Sequence, residues 1–396
     1  NKVYLSYLLD DYYRYGSHGE DLDSLYMTYK DTFYRQYDNH FSGLRKDQLQ
    51  KIGKIILSYS NMDVFYKCGF AYYLGKILKL NTSDSSFFTK LGTLCHDVLR
   101  DLYVEKNFDF ETSWNDNLER LSQIEPVFLD EKEAFFTDKI RKEIKEDVDI
   151  ILSQKASTYL DKQICEKDFF VWADRNVAFK GFIDKVMYHE TEDEVIANVI
   201  DYKTGNSAQI DEKLMPYGLS LQLPSYMYLL RKENLFDKKI SYGGFYLQHI
   251  INNDLKYNEN KDRAQIKEES MKLEGYTIND MDRLSYCDPS LQKGKSQLIH
   301  SLRLKKDGSF YASSKIISDE DINKMIEMVD KHIKEAGRAI LQGKFAINPK
   351  EIDGNNVSCT HCPYKALCYK RYKDVVAFST KEKEESNGGN LDESAA

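Results

Sequence analysis

The feature that most constrains the fold is a pair of β-like stretches between about residues 168 and 205. The first reads FFVWADRNVAFKGFIDKVMYHE, a charged turn TEDE follows, and the second reads VIANVIDYK. Both are rich in β-branched and aromatic residues, as buried strands are. Apolar positions at helical spacing lie before and after them. The sequence therefore predicts an α/β fold with a core sheet flanked by helices.

Two acids occupy matching positions in this expected hairpin. Its centre of symmetry falls between Glu192 and Asp193, and Asp184 and Asp201 are equidistant from that point. A symmetric register would set the two carboxylates opposite each other, with Cβ atoms about 5 Å apart. Like charges in that position destabilise a sheet, but a bound divalent cation reverses the effect, and hard oxygen ligands suit Mg²⁺ or Mn²⁺.

The lysine of the same stretch completes a chemical pattern. Lys203 lies two residues after Asp201, on the same face of the strand, where it could meet a phosphate oxygen or an attacking water. Two acids and a lysine around a metal are typical of phosphodiester hydrolysis. A salt-bridged strand end is the simpler structural alternative.

The rest of the chain shows a clear order of elements. We expect a helix over residues 84–104, begun by the Asp84-Ser85-Ser86 cap region, and a second helix over FTDKIRKEIKEDVDIILSQ. Two further helices are expected over 217–231 and from Ser318 to Gly343. We expect a strand over 240–250, followed by loops and an insertion over 251–300. These patterns predict an N-terminal helical segment (1–55), a main domain (56–380) and a disordered tail (381–396).

Composition limits the classes of function. The net charge of −8 argues against coating nucleic acid by bulk electrostatics, although it permits a local basic groove. A mean hydropathy of −0.60 and short apolar runs predict a soluble protein without a membrane span. Seven cysteines are an odd number for a disulfide framework and sparse for a secreted scaffold of this length, so a reducing cytoplasm fits better. There, clustered cysteines would bind metal rather than form disulfides. Because the chain begins at Asn1 without a methionine, we expect a fragment of a longer protein.

Four short motifs in a fixed order point to a known family. GTLCH (92–96), GFIDK (181–185), DYKTG (201–205) and QLPSY (222–226) resemble the PD-(D/E)XK superfamily in its RecB-like branch. That branch shows G-x-x-x-H, G-x-x-D-R, D-Y-K-T-G and Q-x-x-x-Y; Lys185 here replaces the usual arginine. Each motif alone has a structural explanation, and their order carries the prediction.

The resemblance implies a role for each motif residue. The implied metal ligands are His96, Asp184, Asp201 and the backbone carbonyl of Tyr202, and the implied catalytic lysine is Lys203. Gln222 and Tyr226, four residues apart on one helix, are implied to line the DNA groove. Pro224 between them predicts a helix start or a kink.

A cysteine cluster near the end of the chain predicts a second metal site. CTHCPYKALC places Cys359, Cys362 and Cys368 in C-x2-C-x5-C spacing. Zinc could take His361 as its fourth ligand, although the short loop strains that choice. An iron–sulfur cluster needs one more cysteine. For that position the spacing leaves four candidates, Cys68, Cys95, Cys165 and Cys287.

A second resemblance selects the fourth cysteine. SYSNMDVFYKCGFAYYLGKILKL (58–80) and GKFAINPK (343–350) are similar to the B-subunit family of AddAB-type helicase–nucleases, over roughly residues 55–375. The resemblance implies that Cys68 joins Cys359, Cys362 and Cys368 to bind a [4Fe-4S] cluster. Such a cluster would act as a structural clasp, closing a loop of 290 intervening residues.

The resemblance also implies a function. It implies a Mg²⁺-dependent deoxyribonuclease, the exonuclease domain of a helicase–nuclease complex that processes double-strand breaks for recombinational repair. Its implied partners are single-stranded DNA ends and an AddA-type subunit. KGKS (293–296) lacks the first P-loop glycine, since Pro289 stands there, so no ATPase is expected. The alternatives are an inactive DNA-binding or scaffold module, a stand-alone exonuclease like those of CRISPR adaptation, and an unrelated protein with structural zinc.

Overall fold

The computed structural model describes residues 2–17, 19–29, 44, 46–49, 52–80, 87–124, 131–204, 210–251, 255 and 259–380. Its helices are α1 (Lys2–Tyr15), α2 (Gly19–Tyr29), α3 (Lys46–Leu49), α4 (Tyr59–Lys67), α5 (Gly69–Tyr72), α6 (Phe87–Val104), α7 (Phe110–Ile124), α8 (Glu131–Ala156), α9 (Gln222–Glu233), α10 (Arg263–Ser270), α11 (Met281–Cys287), α12 (Asp319–Leu341) and α13 (Lys365–Cys368). Its strands are β1 (Ile55–Leu57), β2 (Lys162–Asp174), β3 (Val177–Glu190), β4 (Glu194–Thr204), β5 (Lys239–Ile250), β6 (Glu274–Ile278), β7 (Ile316–Ile317), β8 (Lys350–Ile352), β9 (Asn355–Asn356) and β10 (Val376–Phe378).

The chain divides into two compact units. The larger unit comprises Ile52–Asp63 and Asn81–Leu341, and the smaller comprises Asn1–Lys51, Val64–Leu80 and Gln342–Ala396. None of the helices in the described ranges combines the length and the apolar character that crossing a bilayer requires.

One mixed sheet of seven strands forms the centre of the larger unit. Its order is β1-β3-β4-β5-β6-β7, and β2 pairs with the other edge of β3. β3 and β4 are antiparallel, with Lys185 opposite Ile200 and Glu190 opposite Val195. The hairpin is therefore symmetric about the point between residues 192 and 193, and the predicted register is confirmed.

The edge of β3 that faces β4 changes partner along its length. β1 runs parallel to β3 beside Val177–Phe179, whereas β4 runs antiparallel beside Lys185–Glu190. The carboxyl ends of β1 and β4 therefore converge on residues 180–184 of β3. These five residues are paired neither with β1 nor with β4. We call this place, where the sheet divides, the fork.

Helices pack on the sheet in two groups. On one side, Tyr228 of α9 meets Phe179 of β3 edge to face, with ring centroids 6.0 Å apart, and donates a hydrogen bond to Asp330 of α12 at 3.0 Å. The second group consists of α6, α7 and α8, whose buried side chains share an apolar cluster with Tyr202 of β4 and Ile250 of β5. Burial of these apolar faces holds both groups in place.

Several expected elements are confirmed. Helix α6 ends at Val104 as predicted, α8 contains the whole predicted stretch, and β5 covers the predicted strand. The Ser318 hydroxyl accepts a hydrogen bond from the backbone N–H of Asp321 at 3.1 Å, and Gly343 beyond the end of α12 has φ +69°. The Asp84–Ser86 cap region and the tail 381–396 lie outside the described residues.

The prediction that residues 251–300 form loops and an insertion is wrong. This stretch contributes β6, which pairs antiparallel with β5, and the helices α10 and α11. The sequence carried the signals. Asp262 and Gln265 form a capping box at the start of α10, and Asp280 caps α11. High lysine content masked these caps, because charge on a short exposed helix says little about its secondary structure.

Two predicted boundaries also shift. Helix α9 begins at Gln222 rather than 217, because Pro224 is tolerated only in the first turn of a helix. A 3₁₀ turn over Glu212–Tyr217 precedes it. Strand β2 begins at Lys162, six residues before the predicted start, and the extension includes Glu166.

The smaller unit has its own sheet and aromatic packing. β8 pairs with β10 in parallel and with β9 antiparallel. Phe345 stacks against Tyr72 and Tyr73, with ring centroids 6.3 Å and 5.1 Å apart. The backbone N–H of Gly69 donates to Asn348 Oδ1 at 2.9 Å. These contacts join segment 64–80 to the C-terminal segment of the same unit.

Two helical glycines should respond oppositely to alanine. A Cβ at Gly337 would lie 2.4 Å from Val177 Cγ2, so we expect Gly337→Ala to lower the free energy of unfolding by about 1–3 kcal/mol. A Cβ at Gly92 would meet nothing closer than Thr204 Oγ1 at 3.6 Å, so Gly92→Ala should raise it by up to about 1 kcal/mol. Urea unfolding of both variants measures the difference. Equal effects of the two substitutions would contradict the packing described for α12.

Candidate active site

Asp184 lies in the fork, at the last position of the stretch that neither β1 nor β4 pairs with. Its side chain is buried, and its Oδ2 accepts a hydrogen bond from the backbone N–H of Tyr202 at 2.8 Å. Continuing the β3–β4 register by one residue from the Lys185–Ile200 pair sets Asp184 opposite Asp201. The two acids of the sequence motif are therefore neighbours.

Helix α6 brings His96 to Asp184. The Nδ1 atom of His96 lies 3.7 Å from Asp184 Oδ2 and 3.0 Å from Glu166 Oε1. The ring of Tyr202 meets the imidazole edge to face, with centroids 5.9 Å apart. One ligand atom from each of His96, Glu166 and Asp184 can be chosen so that all lie within 4.8 Å of one another. One imidazole nitrogen and two carboxylate oxygens form a donor set that fits Mg²⁺ or Mn²⁺.

Glu166 is a site residue that the sequence prediction missed. Cys165 pairs with Lys185 and Lys167 with Ile183, so Glu166 stands opposite Asp184 in the β2–β3 ladder. Its φ of +45° departs from the strand conformation. The sequence held a signal for it, because Glu166 and Asp184 are equidistant from Arg175, the middle residue of the Asp174–Asn176 turn. It was missed because the strand was expected to start only at about residue 168.

The electrostatics of this cluster favour a cation. Burial, and then the neighbouring charge of Asp201, raise the pKa of Asp184 to about 8. Burial opposes protonation of His96, but the hydrogen bond to Glu166 and the charge of Asp184 outweigh it, and the pKa of His96 is raised. Both shifts favour the protonated forms of these groups, as expected of a site that attracts positive charge.

Asp201 belongs to a second, adjoining network. Its side chain is 1% exposed, and its Oδ1 accepts hydrogen bonds from Gln222 Nε2 at 2.7 Å and from the Tyr226 hydroxyl at 3.1 Å. Its Oδ2 forms an ion pair with Lys203 Nζ. Lys203 in turn donates to Gln222 Oε1 at 2.9 Å. Gln222 and Tyr226, together with the ion pair itself, thus fix the orientation of Asp201 and Lys203.

The structure brings together all the residues predicted for the nuclease site, but in two networks. His96 and Asp184 join Glu166, while Asp201 and Lys203 join Gln222 and Tyr226. Tyr226 is 6% exposed, so its hydroxyl faces Asp201 rather than open solvent. The metal-ligand roles of Asp201 and of the Tyr202 carbonyl, and the DNA contacts of Gln222 and Tyr226, stay predictions.

The end of β1 contributes a further polar group that the sequence prediction missed. Tyr59 is the first residue of α4, two residues beyond the last residue of β1. Burial, and then the charges of Asp63 and Asp201, raise the pKa of its hydroxyl, which keeps it protonated. Tyr59 therefore adds a neutral hydroxyl to the side of the fork that β1 forms.

Lys185, which stands at the usual arginine position, turns away from this cluster. It is buried, and its Nζ donates to the Tyr103 hydroxyl at 2.5 Å. Burial lowers the pKa of this amine to about 7. The lysine therefore belongs to the packing between β3 and α6.

The four cysteines of the predicted cluster all lie in the smaller unit. Burial is the largest cause that raises the pKa of the Cys362 thiol, and the neighbouring thiols of Cys68, Cys359 and Cys368 add to it. The Ser358 hydroxyl donates to the carbonyl of Lys67 at 2.7 Å, which joins the residues directly before Cys359 and Cys68. Cys95, Cys165 and Cys287 lie in the larger unit.

Fold and site together define the class of protein. A mixed sheet that divides at a buried acid, an Asp-x-Lys pair on the adjoining strand and a histidine from a covering helix match one family. The chain belongs to the PD-(D/E)XK nuclease superfamily, whose family model matches residues 56–369.

Several curated relatives are named as the B subunit of an ATP-dependent helicase/deoxyribonuclease. The protein of Clostridium perfringens strain SM101 is 24% identical over 371 residues, that of Anoxybacillus flavithermus strain DSM 21510 is 25% identical over 371, and that of Clostridioides difficile strain 630 is 26% identical over 368. Each alignment covers 84% of this chain and 32% of the relative. The chain thus spans about a third of the length of the curated relatives it matches.

The raised pKa of Asp184 predicts a pH-dependent stability in chelator. The folded protein keeps a proton that the unfolded chain releases near pH 4, so the contribution of this proton to stability is lost as pH rises from about 4 towards about 8. We expect the thermal midpoint of the wild type to fall relative to that of Asp184→Asn between pH 6 and pH 8. Asparagine keeps an oxygen for the Tyr202 N–H.

The control for this experiment is Asp138→Asn, which changes a half-exposed acid on α8. Its midpoint should follow that of the wild type across the same pH range. Parallel curves for the wild type and Asp184→Asn would show that the Asp184 carboxyl is ionised in the folded protein and would contradict the prediction.

Proposed function

We propose that this chain is a metal-dependent deoxyribonuclease that hydrolyses phosphodiester bonds of DNA at the fork. The observation that carries the proposal is the convergence of His96, Glu166 and Asp184 next to the Asp201–Lys203 pair, in a member of a nuclease superfamily. The raised pKa of Asp184 adds support, because a buried site that attracts protons also attracts a cation.

His96, Glu166 and Asp184 would hold Mg²⁺ or Mn²⁺, and Asp201 lies near enough to Asp184 to affect its charge. A bound divalent ion would neutralise the phosphate and lower the pKa of a water molecule. The protein supplies the shape of the site. The Tyr202 N–H orients Asp184, and Glu166 orients the imidazole of His96.

Lys203 would stabilise the negative charge that develops on the phosphate. Its side chain is one-quarter exposed, while Asp201 and Gln222 hold its ammonium group in place. A positioned cation contributes most in the transition state, where the phosphoryl oxygens gain charge. Gln222 and Tyr226 are positioning residues in this proposal, since both act through Asp201.

The names of the relatives support a wider role. We propose that the chain is the exonuclease part of a helicase–nuclease complex for double-strand break processing and recombinational repair. In this proposal it acts on single-stranded ends beside an AddA-type motor.

The KGKS segment is not a P-loop here. A 3₁₀ turn covers Pro289–Lys293, and the Ser296 hydroxyl donates to Asp288. Unwinding would therefore need a motor outside this segment.

We also propose that Cys68, Cys359, Cys362 and Cys368 bind a [4Fe-4S] cluster. Cys68 is the one of the four candidate partners that shares a unit with the other three. The charges of Cys68, Cys359 and Cys368 all act on the Cys362 thiol, so the four thiols lie near one another. Four cysteine thiolates are the usual ligands of such a cluster.

Replacing the acid or the lysine should stop hydrolysis. Asp201→Ala and Lys203→Ala should each lower the rate of DNA cleavage with Mg²⁺ or Mn²⁺ by at least about 100-fold, because these groups act on the transition state. The rate is measured on an end-labelled single strand, and circular dichroism checks the fold. Lys142→Ala, on the exposed face of α8, should cut at the wild-type rate. A variant at position 201 or 203 with wild-type activity would refute the assignment.

Loss of a cluster cysteine should remove iron and weaken the fold. Protein purified without air should contain about four irons and four sulfides per chain. Cys68→Ala and Cys362→Ala should lose both and unfold at a temperature several degrees lower, because the clasp restricts the unfolded chain. Cys165→Ala, a half-buried cysteine of the larger unit, should keep its iron. Stoichiometric zinc without iron or sulfide in the anaerobic wild type would overturn the proposal.

A further inference from the structure

An exposed aromatic strip lies on the strands that lead to the fork. We define the strip as Ile56, Phe170, Trp172 and Phe182, with Lys54 and Lys180. The four apolar side chains are 49%, 43%, 49% and 57% exposed, in that order. Their strand neighbours Ile55, Leu57, Phe169 and Val171 are buried, so the strip is the outward face of regular strands.

The strand register places these side chains side by side. Ala178 of β3 pairs with Ile56 of β1 and with Trp172 of β2, and Lys180 pairs with Phe170. Phe182 follows two residues later, opposite Asp168. Alternation along a strand sends Ala178, Lys180 and Phe182 to one face. Three strands thus contribute to one continuous surface.

Cations are interleaved with the rings. Lys54 Nζ lies 4.9 Å from the ring centroid of Trp172, and the rings of Trp172 and Phe170 meet edge to face with centroids 5.6 Å apart. Lys180 stands beside Phe170 and two residues before Phe182. Neither lysine pairs with a carboxylate among the described residues. Asp168, opposite Phe182, adds an acid to this face.

The strip lies close to the metal-ligand cluster along β2 and β3. Phe182 precedes Asp184 by two residues on β3, and Phe170 follows Glu166 by four residues on β2. At about 3.4 Å per residue, the stretch from Ala178 to Asp184 spans about 20 Å. A polymer lying along β3 would therefore pass from the aromatic rings to the cluster.

We propose that this strip binds single-stranded DNA and guides it into the fork. Bases would stack on Trp172, Phe170 and Phe182, while Lys54 and Lys180 would contact phosphates. Single-stranded DNA fits better than a protein partner, because the exposed rings alternate with cations and the surface ends at residues suited to phosphodiester chemistry. A duplex fits less well, since its base faces are already stacked. This inference rests on the proposed function and names the path of its substrate.

Tryptophan fluorescence reports on this contact directly. The chain has two tryptophans, of which Trp114 is 1% exposed and Trp172 is in the strip. In chelator, which prevents cleavage, oligothymidylate should quench the wild-type fluorescence and leave Trp172→Phe unchanged. Anisotropy of a labelled oligothymidylate should show affinities at least about fivefold weaker for Phe170→Ala and Phe182→Ala. Blunt duplex should compete poorly.

Matched variants and a parallel cleavage assay separate the outcomes. Phe135→Ala removes an exposed ring of α8 and should bind as the wild type does, while Lys180→Gln should reduce the logarithmic salt slope by about 0.7. Unquenched wild-type fluorescence at saturating oligothymidylate, or strip variants within twofold of Phe135→Ala, would overturn the inference. If the wild type cuts DNA and these variants bind normally, the strip alone is refuted. If they lose binding but the wild type never cuts, the nuclease proposal is refuted and the strip stands.

Discussion

Asp184 and Asp201 are buried side by side where the sheet divides, and the cost of burying two neighbouring acids is offset by the groups around them. Each acid is surrounded by a different set of compensating groups. Asp184 has the imidazole of His96 and the Tyr202 N–H, whereas Asp201 has Lys203, Gln222 and Tyr226. A buried charge without such partners would cost several kcal/mol, so the fold commits two helices and three strands to this place.

The division into two networks suggests different roles for Asp184 and Asp201. The pKa of Asp184 is raised, and this acid lies with His96 and Glu166 in a cluster whose ligand atoms are within 4.8 Å of one another. Asp201 is already paired with a lysine, and its surroundings fix the direction of both side chains. A cation would therefore enter next to Asp184 while Lys203 stays in place, and the motif's two acids need not be equivalent ligands.

The sequence predicts the hairpin well because its symmetry is local. The turn suggests the centre, and an assumed symmetric register places Asp184 next to Asp201, which the observed pairing confirms. The same reasoning would have found Glu166, had the length of β2 been recognised. Side-chain direction is different. Motif order identifies Gln222 and Tyr226, but only tertiary packing shows that both turn towards Asp201. Within 251–300, the caps of α10 and α11 were present in the sequence but masked by its high lysine content, whereas β6 depends on its pairing with β5.

The order of segments in the smaller unit has a consequence for biosynthesis. Between Cys68 and Cys359 lie 290 residues, which include the greater part of the larger unit, residues 81–341. At about 5–20 residues per second, the Cys68 thiol waits roughly 15 to 60 s for its partners. A group bound by all four thiols could be completed only after residues 81–341 have been translated. During that interval Cys68 would be exposed to oxidants and metal ions without its three partners.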